Sequence, residues 1–163
     1  CWEIALKSKN TPSAIALSRQ KLPYINPALS EENKCEKGAY IVNLTSHDNK
    51  VTLIASGSEV ELALNVQKKL KEIDIESKVV SMPCQELFEK QSEDYKKDIL
   101  DNDSLKVTIE AGSVSSWQKY SGDDGLALGI DKFGESAPYK KIYDHLNLSV
   151  EKIVVRIQQS LRK

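Results

Sequence analysis

The stretch Val51-Thr-Leu-Ile-Ala-Ser-Gly-Ser-Glu-Val60, running on to Leu70, constrains the fold more than any other part of this chain. Val51 to Ala55 is a β-branched and apolar run, the pattern of a strand buried on both faces. Gly57 permits a tight turn, Ser58 stands at the expected helix N-cap, and Glu61 three residues on completes a capping box. Val60, Leu62, Ala63, Val66 and Leu70 then recur near helical spacing. Buried strand, Gly-Ser turn and amphipathic helix are the opening unit of a layered α/β domain. The turn also aims backbone N–H groups and the positive end of a helix dipole outward, which makes Gly57 and Ser58 a candidate anion site. Against that reading, the turn lacks the further glycines of a dinucleotide fingerprint and the Gly-Lys of a P-loop. Glu59 and Glu61 already complement the dipole and would repel an anion, so capping is the favoured role.

The rest of the chain alternates in the same way. Residues 38–44 read as a strand, and residues 46–50 as the turn of a hairpin into residues 51–56. Strands follow at 76–82, 104–109 and 125–130. Helices are expected at 86–91, 94–100, 115–120, 139–145 and 150–161, with residues 133–138 as a loop in which Ser136 caps the next helix and Pro138 opens it. This order predicts a three-layer α/β/α fold with a mostly parallel five-stranded sheet and one antiparallel edge strand. Ahead of it, Trp2, Ile4, Ala5 and Leu6 suggest the tail of an amphipathic helix, and residues 13–18 a short buried strand. Pro23, Asn26 and Pro27 then interrupt any periodicity. The expected division is residues 1–20 as the end of a preceding domain, 21–36 as a linker, and 37–163 as a complete domain.

Composition bounds the function. The chain is 40% hydrophobic and 29% charged with a net charge of -1, which gives no electrostatic argument for nucleic acid or an anionic membrane surface. No run is long and apolar enough to span a membrane, and no signal peptide opens the sequence, so cytoplasm is the expected compartment. Cys1, Cys35 and Cys84 are widely spaced without a C-x-x-C, which fits free thiols under reducing conditions. His47 and His145 have no Cys, His or carboxylate at metal-ligand spacing, and both read as structural. Cys84 follows Pro83 at a strand end without an evident base, so a bystander thiol is expected. Glu110, also at a strand end, reads equally as a ligand contact or a helix cap. Glu135 is expected to be a structural loop carboxylate. Arg19, between Ser18 and Gln20 where the chain leaves an apolar run, suits a phosphate monoester gripped by paired N–H donors, or equally a linker-pinning salt bridge.

The ordered segments Leu17-Ser-Arg-Gln20, Ala55-Ser-Gly-Ser-Glu-Val-Glu-Leu-Ala63, Val79-Val-Ser-Met-Pro83, Glu110-Ala-Gly112 and Phe133-Gly-Glu-Ser-Ala-Pro138 resemble the C-terminal portion of transketolase. The resemblance covers essentially the whole chain. It implies the last helix and strand of a pyrimidine-binding domain, a linker, and the complete C-terminal domain. The implied parent is a homodimer that moves a two-carbon ketol unit between ketose and aldose phosphates, with thiamine diphosphate and a divalent metal (Mg or Ca) as cofactors. In the matching motif, Arg19 corresponds to a residue that helps bind the substrate phosphate. The family's Gly-Asp-Gly cofactor motif, its activating carboxylate and its active-site histidines have no match here. The resemblance therefore implies no catalytic residue in this chain, no bound cofactor, and no activity without the missing N-terminal half. The competing expectations are a stand-alone anion-binding or regulatory module, and the C-terminal part of a deoxyxylulose-phosphate synthase or a 2-oxo-acid dehydrogenase β subunit.

Overall fold

The computed structural model describes residues 1–18, 20–25, 33–100 and 103–162. Five strands form one sheet: β1 (Tyr40–Leu44), β2 (Val51–Ala55), β3 (Ser77–Ser81), β4 (Leu105–Ile109) and β5 (Leu126–Leu128), in the spatial order β1-β3-β2-β4-β5. β2 lies parallel to both β3 and β4, and β4 parallel to β5; only β1 runs antiparallel, along β3. The helices are α1 (Trp2–Lys7), α2 (Glu59–Lys71), α3 (Gln85–Glu89), α4 (Glu93–Leu100), α5 (Gln118–Ser121), α6 (Tyr139–His145) and α7 (Val150–Ser160). The expected three-layer sheet with one antiparallel edge is the fold observed.

Strand alternation distributes the core to the two faces. Leu53 sits beside Val79 and Val107 in register, and together with Val51, Ala55 and Ile109 these side chains meet one helical layer. That layer is α2 and α7, whose Ala63, Val66, Leu70, Ile153 and Ile157 are all inaccessible to solvent. Full burial of such aliphatic side chains is worth about 1.5–3 kcal/mol each, so the α2–α7 seam is a main source of stability. The opposite face turns Ile54 and Val80 toward Phe88 of α3, Ile99 of α4, and Trp117 and Tyr120 around α5. Phe88 and Tyr120 stack tilted with their centroids 6.0 Å apart.

Three expectations are corrected. The segment 46–50 is not a hairpin turn, because β3 lies between β1 and β2. The reason is burial: every residue of β2 and β3 is buried, so both take interior places, while half-exposed β1 takes the edge. The segment instead steps over the end of β3, with Thr45 N–H donating to the Ser77 carbonyl and Lys50 N–H to that of Glu76. Residues 13–18 form no strand; they lack a strand to pair with among the described residues, and Leu17 is 72% exposed. Finally, neither side-chain cap forms. Ser58 already has helical angles (φ -65, ψ -28) and makes no cap bond, its hydroxyl donating instead to Glu59. Pro138, not Ser136, holds the N-cap position of α6.

Candidate functional site

The sheet order fixes where a site is expected. After β2 the chain passes through α2 to β3 on one side; after β4 it passes through α5 to β5 on the other. The carboxyl ends of β2 and β4 therefore flank a switch point, the usual place for ligands in open α/β sheets. Ser56 directly follows β2 and Glu110 directly follows β4, and the Ser56 hydroxyl donates to Glu110 Oε2 at 2.8 Å. Gly57 follows with φ +51, and Ser58 leads into α2.

Behind this turn lies a set of side chains that sequence reading did not connect. Glu59, in the first turn of α2, is only 4% exposed. Its Oε1 accepts hydrogen bonds from the Ser58 hydroxyl, 2.8 Å away, and from the Tyr143 hydroxyl of α6. A carboxylate this deep needs such donors, and the helix dipole adds to their effect. Burial raises the pKa of the Tyr143 phenol, and the nearby Gln20 side chain opposes that rise. The Ser18 hydroxyl lies 3.8 Å from the place that a Cβ on Gly57 would occupy. Ser18 thus lies within van der Waals range of the Gly57 turn, and Gln20 lies near Tyr143. Arg19 itself lies outside the described residues. Eighty-four positions separate Glu59 from Tyr143, and no local sequence signal marks the pair.

The electrostatics of the turn follow from its two carboxylates. Burial, together with the nearby Glu59 charge, pushes the Glu110 carboxyl above its ordinary range, and the Ser56 hydroxyl opposes the rise. Burial and Glu59 push the Tyr143 phenol far up, so it keeps its proton and remains a donor. Glu59 and Glu110 put negative charge where an anion on Gly57 and Ser58 would sit, which opposes that site. A pH prediction follows. With its folded pKa raised, Glu110 holds its proton where the unfolded chain has released it. It therefore favours folding at low pH, and that advantage is lost as pH rises through the raised value. Glu110→Gln should leave urea stability unchanged near about pH 4 and raise it by up to about 1 kcal/mol near about pH 8. Equal stability of the two proteins at both pH values would refute the buried-charge account.

The remaining candidates stand apart from the turn. Cys84 is half-buried at the start of α3, with Sγ 3.4 Å from the exposed Glu86 carboxylate. His47 is exposed in the β1–β2 connection. His145 and Glu135, read separately as structural, come together at 3.1 Å on the surface. Among the described residues no group of three or more His, Cys, Asp or Glu side chains is placed to hold a metal ion. No described helix is long and apolar enough to cross a membrane.

A mixed five-stranded sheet with its switch point at a Ser-Gly-Ser turn, and a single antiparallel edge strand, defines a three-layer α/β domain. Residues 38–149 match the family model of the transketolase-like C-terminal domain. The chain is 40% identical to the transketolase of Sinorhizobium medicae over 164 aligned residues, covering 100% of this chain and 24% of that protein. It is 43% identical to the transketolase of Bacillus subtilis, covering 99% of this chain and 25% of that one. Its structure superimposes on that of Leishmania mexicana transketolase with a TM-score of 0.88 at 35% identity, covering 99% of this chain and 23% of the other. The chain belongs to the transketolase family, corresponds to its C-terminal region, and spans about a quarter of the length of the curated relatives it matches.

Proposed function

We propose that this chain is the C-terminal part of a cytoplasmic transketolase, a homodimer that transfers a two-carbon ketol unit between ketose and aldose phosphates with thiamine diphosphate and a divalent metal. The observation that carries the reading is identity of about 40% along the entire chain. Within that enzyme the chain supplies no group to the reacting carbonyl. Its own contribution is a guanidinium, that of Arg19, which grips the substrate phosphate, together with the packed domain behind it. The 163-residue chain alone is accordingly silent in transfer. The anion-module alternative finds little support at Gly57 and Ser58, where Glu59 and Glu110 crowd the turn.

The test is kinetic. In the full-length enzyme carrying this region, Arg19→Ala should raise the KM for an aldose phosphate by roughly 10-fold or more, as expected for loss of a charge-assisted phosphate contact. The same aldose without its phosphate should be handled as before. Equal effects on both acceptors would remove Arg19 from the phosphate site. Titrating the isolated chain with inorganic phosphate separates the alternative: heat that disappears on Ser58→Pro would favour a stand-alone anion module.

A further inference from the structure

The bend between α5 and β5 leaves one peptide bond open to attack by its own neighbours. Asp124-Gly125 is the one Asp-Gly pair in the sequence, which contains no Asn-Gly pair. We propose that it is a self-modification site, where the Gly125 amide nitrogen closes on the Asp124 side chain and the chain ages from aspartate to isoaspartate.

The chemistry needs a carboxylic acid, a following amide that no side chain shields, and a backbone able to bend. The Gly125 nitrogen bonds to Cγ of Asp124, while the amide proton and the carboxyl hydroxyl leave as water. The product is a five-membered succinimide. Water then adds to either ring carbonyl. Cleavage on one side restores aspartate, and cleavage on the other leaves the main chain running through the side-chain carbon. No oxidant or reductant takes part. Glycine hinders the attack least, since it carries no Cβ.

The structure supplies each condition. Residues 123–125 lie in a bend outside any helix or strand, and Asp124 is exposed. Among the described residues, neither the Asp124 carboxyl nor the Gly125 N–H is held by a hydrogen bond or an ion pair. Both residues line an open depression of about 310 Å³ with Lys106 and Ser121, so water reaches the ring. Packing also demands glycine here. A Cβ on Gly125 would lie 2.1 Å from the Ser121 carbonyl oxygen and 2.5 Å from that of Lys106, so the labile pair cannot be relieved at residue 125. The same crowding gives the product its effect. Isoaspartate adds a methylene to the main chain immediately before Gly125, which is already seated against those two carbonyls. The three-residue β5, paired with β4 at the edge of the sheet, then loses its fixed lead-in.

The test ages the full-length enzyme at neutral pH until a free peptide of residues 118–128 has converted, then locates isoaspartate by electron-transfer fragmentation. Asp103-Ser104 is the internal comparison, since Ser104 is 6% exposed and its hydroxyl lies 2.7 Å from that of Thr52. Conversion at 124 should exceed that at 103 by roughly 5-fold or more, because an unhindered glycine amide in a loop outruns a packed serine one. Asp124→Glu keeps the charge but requires a six-membered ring, and it should abolish the signal at 124. The amides of Leu126–Leu128 should exchange roughly 10-fold faster in the aged enzyme than in fresh enzyme, with no such change in aged Asp124→Glu. An enzyme without isoaspartate at 124 would overturn the proposal, because the fold then locks the bend. Equal conversion at 103 and 124 would overturn the special standing of this bend. Unchanged exchange in enzyme that carries isoaspartate would overturn the loosening of β5.

Discussion

Gly38→Ala should destabilise the domain by about 3–5 kcal/mol, the range of a lost buried aromatic contact combined with backbone strain. The single-turn 3-10 helix Lys34–Lys37 ends at Gly38, whose φ of +81 already costs any residue with a side chain. Most of the loss is steric. A Cβ there would lie 2.2 Å from the Phe88 nitrogen, 2.4 Å from the Cys84 oxygen and 2.8 Å from the Leu87 carbonyl carbon. All three are backbone atoms of α3 and its N-cap, so no side-chain rotation relieves the overlap. The turn must lift away from α3, which breaks the bond from Cys84 N–H to the Gly38 carbonyl and opens the layer that buries Ala39 and Phe88. Gly57 is the internal control. Its φ of +51 carries a similar conformational cost, but a Cβ there meets only the Ser18 hydroxyl, at 3.8 Å. Gly57→Ala should therefore cost about 1 kcal/mol. Urea unfolding of the two variants compares them directly, and similar losses would sink the steric argument.

These two glycines show what the sequence could and could not disclose. That Gly57 makes a turn after a buried strand was legible, because a five-residue apolar run bounded by Gly and Ser has few other readings. That Gly38 is the costlier position was not, since the atoms crowding it lie about fifty residues away. The same division runs through the fold. Every strand of the sheet and each helix from α2 to α7 was legible to within a few residues, because periodicity is local. Strand order was not: the β1–β2 connection has the composition of a hairpin turn, and only the complete burial of β3 explains why it inserts between them. The expected strand at residues 13–18 failed because an apolar run needs an edge to pair with. At the candidate site, Arg19, Gly57 and Ser58 were singled out as separate features. Sequence reading placed Arg19 at the far end of the linker from the turn. The approach of Ser18 to that turn is long-range, and so is the pairing of Tyr143 with Glu59.

A double-mutant cycle on that pairing should return a coupling of about 2 kcal/mol, the size of a buried hydrogen bond to a charged acceptor. Glu59→Leu alone should cost about 2–3 kcal/mol, since it leaves two half-buried hydroxyls, those of Ser58 and Tyr143, without their acceptor. Tyr143→Phe alone leaves Glu59 buried with one hydroxyl donor fewer and should cost about 1.5–2 kcal/mol. Once Glu59 is leucine, the tyrosine hydroxyl has lost what it was placed to serve, so its removal should cost almost nothing further. The coupling should also be insensitive to salt. At 4% exposure Glu59 is shielded from mobile ions, whereas a surface pair would lose most of its strength by about half-molar salt. An additive cycle, or a coupling that fades with salt, would mean that the two side chains meet only at the surface and that α6 does not brace the start of α2.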